Sequence, residues 1–324
     1  MVHKVGVIGL GTVGSRFVEQ FASHQAFEVV GAWDISPEAC ALHDSKVKIC
    51  NRPEEVVASA DLVYIAVPPL HHEQYVLECV SQKTAIFCEK PLGIDLEKSK
   101  ELVDAVSGSE IPAGVNFVFS SAPSAIEMQS RLADHELGKI IRVDLRLHFA
   151  KWPRLWHENA QWLKLRDQGG WTREVASHFF FLICRVFGRL NLEAGFVRYE
   201  DGPLGTLCED AAMATFSTSS FPVMFTGSSN GSGPDIVELT IRGSDGALRI
   251  WDWYRLQEAT FSEWKDLFPQ SREQLGTEAY SQQLDQLDLM MRGLPHEIAT
   301  FSEALQVQEY VCLLYTSPSP RDRG

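Results

Sequence analysis

The hexapeptide Gly-Leu-Gly-Thr-Val-Gly at residues 9–14 constrains the fold more than any other part of this sequence. It follows a short apolar run, VGVIGL (5–10), and opens a segment with helical spacing, VGSRFVEQFASH (13–24). Asp34 closes the next apolar run, FEVVGAWD, twenty residues past Gly14. A glycine-rich turn between a strand and a helix, with an acidic residue ending the next strand, is typical of a dinucleotide-binding βαβ unit. The whole context, and not the hexapeptide alone, predicts such a unit.

Each glycine of the turn has a distinct physical task in that unit. Gly9 allows the tight turn, Gly11 lets the backbone approach a pyrophosphate, and Gly14 lets helix and strand pack closely. The helix begins here, so its first N–H groups are unpaired and attract phosphate. The alternative is a glycine-rich turn that binds no ligand. The residues predicted to bind the cofactor at this turn and the following strand are Gly9, Gly11, Thr12, Val13, Gly14 and Asp34.

Asp34 also indicates which dinucleotide is preferred. Its carboxylate is placed to accept hydrogen bonds from the adenosine ribose. The next residues are Ile35, Ser36 and Pro37, so no arginine follows to pair with a 2′-phosphate. A carboxylate without a neighbouring guanidinium repels that phosphate, so we expect NAD, with NADP less favoured.

The pattern of elements predicts an α/β protein of two domains, which suits 324 residues. Residues 5–120 alternate near-continuous apolar strands with helices, which is typical of a doubly wound parallel sheet covered on both faces. After a helix at 123–137 and another at 173–187, strands dominate and predict an open, mostly antiparallel sheet. We therefore predict an NAD(P)-binding Rossmann domain over 1–120 and an α/β domain for substrate binding and oligomerisation over 121–311.

The composition limits which partners the protein could bind and indicates where in the cell it is located. The net charge of −14 argues against nucleic acid or an anionic membrane as the main partner. The seven cysteines include no C-x-x-C pair and no zinc spacing, which favours reduced thiols and no metal site. No apolar run reaches the ~18 residues of a spanning helix, and the chain enters a strand at once, leaving no room for a signal peptide. We expect a cytoplasmic protein.

The last thirteen residues, CLLYTSPSPRDRG (312–324), differ from the rest of the chain. They interrupt a helical pattern with a Ser/Pro run, and the part from Cys312 to Asp322 resembles the translation of a transposase-type sequencing-library adapter. We expect this tail to be non-native, with the natural sequence departing inside the last helix near Val311. A natural disordered tail is the alternative.

A polar stripe on an otherwise apolar helix is the main candidate for chemistry. The segment REVASHFFFLICRVF (173–187) gathers its polar side chains at helical spacings, at Glu174, Ser177, His178 and Arg185. Such a stripe faces solvent or a cleft. In solvent, Glu174 and His178 form a surface pair worth ~0.3–0.5 kcal/mol. In a cleft, His178 is a general base for a substrate hydroxyl, and Glu174 orients the imidazole or contacts the substrate.

Two further segments, VPPLHHE (67–73) and CEKPLG (88–93), follow predicted strands. Together with the glycine turn and the Gly169-Gly170 to His178 segment, they resemble the Gfo/Idh/MocA oxidoreductases over essentially 1–311. The resemblance implies hydride exchange between NAD(P) and a carbinol carbon of a sugar or cyclic polyol. It also implies a homo-oligomer, a dimer or tetramer, that uses the open sheet. The residues it places beside the cofactor are Pro68, His72, Glu89, Lys90 and His178.

Position and chemistry support Lys90 independently of the resemblance. The carboxyl ends of strands in a doubly wound sheet face the ligand crevice, and Lys90 follows one such strand. An ammonium group there can stabilise the developing charge on a substrate oxygen. The alternative is a solvated lysine at a strand end. The resemblance further implies a cis Lys90–Pro91 bond. The chain departs from the family at Glu174, where the usual residue is Asp, and the extra methylene moves that carboxylate.

Weaker candidates and rival functions stay open at this stage. Asn116 ends a strand and is a candidate for substrate or nicotinamide binding, or for a turn or core hydrogen bond. Trp156 and Trp162, in the irregular stretch 150–168, are candidates to stack on a sugar ring or simply to pack. The leading function is an NAD(P)-dependent dehydrogenase or reductase. The alternatives are an NAD-dependent glycosidase with transient redox chemistry and a non-catalytic dinucleotide-binding sensor.

Overall fold

The computed structural model describes residues 2–157, 160–202 and 204–317. They divide into two compact units. The first takes the described residues of Met1–Phe117, Trp156–Trp162 and Tyr280–Gln308. The second takes those of Val118–Leu155, Leu163–Ala279 and Glu309–Gly324.

The first unit contains a five-stranded parallel sheet in the order β2-β1-β3-β4-β5. Its strands are β1 (His3–Ile8), β2 (Phe27–Trp33), β3 (Leu62–Ile65), β4 (Ala85–Cys88) and β5 (Ala113–Val115). The helices between them are α1 (Thr12–Ser23), α2 (Pro37–Ala41), α3 (Pro53–Ser59), α4 (His72–Gln82) and α5 (Leu96–Ser109). This arrangement confirms the predicted doubly wound parallel sheet.

The strands of this sheet are apolar because helices cover both of its faces. Every residue of β3 and β4 is buried, as expected for the centre of a parallel sheet. Side chains from late in the chain also enter this core. They are Leu284, Leu287, Met290 and Ile298. The sequence pattern does not indicate that residues of 280–308 pack against the five-stranded parallel sheet.

The second unit contains an eight-stranded sheet in the order β13-β12-β11-β10-β6-β9-β8-β7. Its strands are β6 (Ile140–Phe149), β7 (Asn191–Tyr199), β8 (Glu209–Ser217), β9 (Pro222–Ser229), β10 (Ile236–Gly243), β11 (Ala247–Trp251), β12 (Arg255–Ala259) and β13 (Lys265–Asp266). Among the described strand pairs of this eight-stranded sheet, only β6–β9 is parallel. The sheet is therefore mostly antiparallel, and this prediction is also confirmed. In β6 the buried residues alternate from Val143 to Phe149, which is the period of a strand with one covered face.

The remaining helices are α6 (Pro123–Ala133), α7 (Ser177–Phe187), α8 (Arg272–Met291) and α9 (Phe301–Tyr315). The predicted helix over 173–187 is not uniform, because Thr172–Ala176 forms a π-helical turn before α7 begins. Helix α9 runs past the predicted boundary at 311, so 312–315 are helical. The non-native origin of 312–324 stays a prediction, and 318–324 lie outside the described residues. Across the described ranges, no helix has the length and apolar character needed to cross a membrane.

Candidate active site

At two of the three glycines in the turn between β1 and α1, a side chain would collide with nearby backbone atoms of the protein. Gly9 has a φ of +99°, and a Cβ there would lie 2.6 Å from the backbone of Ala66. A Cβ at Gly14 would lie 1.9 Å from the carbonyl oxygen of Gly9. These contacts give the tight turn and the close helix–strand packing that the spacing predicts.

Gly11 is different, because packing does not explain it. A Cβ at Gly11 would meet no heavy atom within 4 Å. Gly11 is also the N-cap of α1, where no side chain caps the helix and no acidic residue lies in the first turn. Thr12 and Val13, the first residues of α1, are only half-buried. The open backbone therefore fits the pyrophosphate of a dinucleotide, with the positive end of the helix directed at it.

Asp34 follows β2 and joins that strand to the glycine turn. Its Oδ2 accepts a hydrogen bond from the Leu10 N–H at 2.6 Å, and its Oδ1 accepts one from the Ser36 N–H at 2.8 Å. A carboxylate has about four acceptor positions, so these two bonds leave capacity for ribose hydroxyls. The half-buried carboxylate is thus compatible with the predicted ribose contact, which stays a prediction.

Lys90 follows β4 and is buried, with 7% of its surface exposed. The Lys90–Pro91 bond is cis, as the resemblance implied. A solvated strand-end lysine is therefore not the arrangement found.

His72 holds the two loops of this region together. Its Nδ1 lies 2.9 Å from the Pro91 carbonyl oxygen, and its Nε2 lies 2.9 Å from the Val67 carbonyl oxygen in the loop that contains Pro68. The ring is fully buried, and burial lowers the pKa of His72 to about 4, so the neutral imidazole donates to only one of the two carbonyls and packs its other nitrogen against the second. Because both ring nitrogens face backbone carbonyls, the geometry favours a loop-positioning task for His72 over the predicted direct cofactor contact.

Glu89 and Asn116 lie together at the carboxyl ends of β4 and β5. The Asn116 amide donates to the Glu89 carboxylate, and so does the hydroxyl of Tyr64 from β3. Asn116 therefore makes the core hydrogen bond that was its alternative role, and its predicted contact with substrate or nicotinamide stays untested. Sequence reasoning missed Tyr64, because nothing in the spacing of β3 indicates a partner at the end of the next strand.

His178 lies in the second unit, whereas Lys90 lies in the first. It is the second residue of α7, and 8% of its surface is exposed. Its imidazole lies edge-on to the rings of Phe119 and Trp253, with centroids 6.2 and 6.0 Å away. A solvated surface pair is therefore not the arrangement found. Two aromatic rings from distant parts of the chain instead fix the imidazole, and the sequence gave no signal for either.

Glu174 lies in the π-helical turn, four residues before His178. The wider turn displaces Glu174 from the α-helical register on which the predicted stripe depends. Burial lowers the pKa of Arg154, and the negative charges of Glu174 and Asp235 oppose that shift. Glu174 thus interacts electrostatically with Arg154, and its predicted part in orienting His178 stays a prediction.

The chain leading into the π-helical turn is held by a buried carboxylate. Glu209, 2% exposed, accepts a hydrogen bond from the Thr172 N–H at 2.7 Å and one from the Tyr315 hydroxyl at 3.0 Å. A Cβ at Gly170 would lie 2.3 Å from this carboxylate. Gly170 also has a φ of +97°. Packing and backbone conformation therefore both require glycine immediately before the His178 segment.

Replacing Gly170 by Ala is expected to lower the free energy of unfolding by about 2–4 kcal/mol. The strained φ contributes about 1 kcal/mol and overpacking against the fixed carboxylate the rest. Gly202→Ala is the matched control, because Gly202 has a φ of +78° but open space around a Cβ. It should lose only about 1 kcal/mol. Denaturant unfolding of both variants measures the difference. Equal losses in the free energy of unfolding would show that the Glu209 side chain moves away from the new methyl group without destabilising the protein.

Trp156 and Trp162 both belong to the first unit, whereas the prediction assigned them to 121–311. The Trp156 ring lies 3.6 Å from that of His157 and 5.5 Å from the Arg16 guanidinium of α1, measured to the ring centroid. It remains 45% exposed, and Trp162 is half-buried. Trp156 therefore packs beside the glycine-turn helix, while a sugar contact by either ring stays a prediction.

Part of the first unit is similar to a known protein family. Residues 3–117 match the GFO_IDH_MocA family, described as an oxidoreductase family with an NAD-binding Rossmann fold. The chain is 23% identical over 194 residues to glucose-6-phosphate 3-dehydrogenase of Bacillus subtilis, covering 57% of this chain and 54% of that protein. It is 30% identical over 112 residues to inositol 2-dehydrogenase of Burkholderia cenocepacia, covering 32% and 33%. The matched part thus spans about half the length of the first relative and a third of the second.

Solved structures resemble the whole fold. The WlbA dehydrogenase from Bordetella pertussis, in complex with NADH and UDP-GlcNAcA, has a TM-score of 0.81 at 19% identity, covering 100% of this chain and 96% of that one. A levoglucosan dehydrogenase in complex with NADH and L-sorbose has a TM-score of 0.81 at 16% identity, covering 96% and 95%. At these identities the likeness establishes the fold alone.

Proposed function

We propose that this chain, whose residues 3–117 match the Gfo/Idh/MocA oxidoreductase family, is an NAD-dependent dehydrogenase or reductase. Its reaction is hydride transfer between nicotinamide and the carbinol carbon of a sugar-like or polyol substrate. The observation that carries the proposal is Gly11, whose missing side chain leaves space that the protein does not fill. The names of the relatives, glucose-6-phosphate 3-dehydrogenase and inositol 2-dehydrogenase, support the substrate class.

The proposed chemistry assigns one task to Lys90 and another to His178. A bound nicotinamide supplies the hydride acceptor or donor. The Lys90 ammonium hydrogen-bonds the substrate oxygen and stabilises its developing negative charge. The His178 imidazole takes the hydroxyl proton during oxidation and returns it during reduction. Burial of both side chains strengthens these interactions, since charges are screened less in a partly desolvated site.

We also propose where the protein is located and how it assembles. The seven cysteines are all free thiols, and burial raises the pKa of Cys79 and Cys184 to about 12. Such thiols are unreactive and need no oxidising compartment, which supports a cytoplasmic protein. A homo-oligomer, dimer or tetramer, follows from the family resemblance.

Cofactor preference is expected to depend on Asp34. Asp34→Asn removes the charge that repels a 2′-phosphate, and its single side-chain oxygen keeps one of the two bonds from the Leu10 and Ser36 N–H groups. We expect the NAD/NADP ratio of kcat/KM to fall about tenfold, since removing one partly screened charge contact is worth roughly 1–2 kcal/mol. Asp44→Asn, at an exposed position in the same loop region, is the control and should leave the ratio unchanged. An unchanged ratio in Asp34→Asn would contradict the assignment.

The function is tested by NADH absorbance and product analysis with a panel of sugars, sugar phosphates, polyols and glycosides, comparing the wild type with Lys90→Ala. Net accumulation of NADH identifies a dehydrogenase, whereas product without net NADH identifies the transient-redox glycosidase. Binding of NADH without any turnover identifies a sensor. Turnover that is equal in the wild type and Lys90→Ala would refute the assignment of Lys90.

A further inference from the structure

Three neighbouring strands of the first unit are joined by side chains at their carboxyl ends. Tyr64 comes from β3, Glu89 follows β4 and Asn116 follows β5. The Tyr64 hydroxyl and the Asn116 amide donate to the same oxygen of Glu89, Oε1. The Asn116 amide nitrogen also lies 3.4 Å from the Tyr64 hydroxyl oxygen. These three residues form a closed set of contacts directly before Lys90.

Packing fixes the position of the Tyr64 hydroxyl. The ring is fully buried, and its centroid lies 4.4 Å from that of Phe17 and 5.5 Å from that of Phe87. Burial, followed by the charge of Glu89, raises the pKa of Tyr64 well above its ordinary value. The hydroxyl therefore keeps its proton throughout the working pH range and remains a donor to Glu89.

The main chain reinforces the same junction. The Glu89 N–H donates to the Ile65 carbonyl at 2.9 Å, and the Asn116 N–H donates to the Cys88 carbonyl at 2.8 Å. Parallel pairing thus continues just past the ends of β3, β4 and β5. Side-chain and main-chain bonds together order the residue that precedes Lys90.

We propose that Tyr64, Glu89 and Asn116 form a clamp that positions Lys90, with Tyr64 as a positioning residue that touches neither substrate nor cofactor. The catalytic consequence rests on the proposed function, because it requires Lys90 to act on the substrate oxygen. A positioned ammonium matters because a displacement of about 1 Å can cost about 100-fold in rate.

The test compares Tyr64→Phe, which keeps the ring and removes the hydroxyl, with the wild type. We expect kcat to fall about tenfold, the NADH Kd to stay within about twofold, and amide exchange in the 86–92 peptide to accelerate about tenfold. Tyr310→Phe is the matched control, because it removes another buried tyrosine hydroxyl, which accepts the Leu190 N–H at 3.0 Å in the second unit. It should lose similar stability without changing kcat or exchange at 86–92.

Each outcome decides the proposal. Wild-type kcat in Tyr64→Phe, or a tenfold weaker NADH Kd with unchanged kcat, would overturn it. If the wild type turns over no substrate, the proposed function fails, but amide exchange in the 86–92 peptide still tests the clamp. Faster exchange in Tyr64→Phe than in the wild type supports the clamp, and unchanged exchange overturns it. If Tyr64→Phe does not fold, Asn116→Ser removes the second donor and takes its place with the same expected results.

Discussion

Replacing His178 by Ala is expected to lower kcat about 10²–10⁴-fold while NADH binding is retained. The physical reason is the loss of the proposed general base, since a positioned general base contributes about that factor to the rate. The change also leaves a cavity between Phe119 and Trp253, whose rings lie against the imidazole. Because that cavity has the shape of the missing ring, added imidazole should restore about tenfold or more of the lost rate. Steady-state NADH kinetics with and without imidazole measure both effects.

The control must separate catalysis from stability. His148→Ala suits this purpose, because His148 is a half-buried histidine of the same unit that bonds Ser228 and the Gly231 carbonyl. It is expected to lose stability without losing kcat, and imidazole should not affect it. An equal loss of kcat in both variants would reduce His178 to a packing residue. Full activity of His178→Ala would remove it from the mechanism.

The fold followed from periodicity and from a few special positions. The turn at 9–14 and the alternating apolar runs up to Val115 predict the parallel sheet, since that pattern arises from burial on both faces. The run of strands with few helices after residue 187 likewise predicts the open, mostly antiparallel sheet. These features depend on residues that are close together in the sequence, so they can be recognised in a single sequence.

Long-range pairings were not accessible in the same way. Nothing in the spacing of Tyr64 and Glu89 shows that their side chains meet, and nothing around Gly170 names Glu209 as its neighbour. The π-helical turn at Thr172–Ala176 has no sequence signature separate from an α-helix. Residues 280–308 pack with the first unit, but their sequence does not show this. An amphipathic helix has the same hydrophobic periodicity whichever apolar surface it packs against. These features arise from tertiary packing, which overrides local preference.

The glycine turn offers the sharpest separation of folding from cofactor binding. Gly14→Ala places a methyl group 1.9 Å from the Gly9 carbonyl oxygen, so helix α1 must shift. We expect a loss of about 3 kcal/mol in the free energy of unfolding, together with weakened NADH binding. Gly11→Ala meets no protein atom, so the free protein should unfold within about 0.5 kcal/mol of the wild type. Its new methyl group instead occupies the space assigned to the pyrophosphate.

For Gly11→Ala we therefore expect the NADH Kd to rise about 100-fold, equivalent to about 2.7 kcal/mol of lost binding. Denaturant unfolding without cofactor and NADH fluorescence titration give the two quantities independently. Gly108→Ala, at an exposed glycine of α5 that also has open space around a Cβ, controls for the added methyl group. It should gain up to about 1 kcal/mol from helix propensity and leave the Kd unchanged. A Gly11→Ala variant that binds NADH like the wild type would mean that no pyrophosphate lies against this turn.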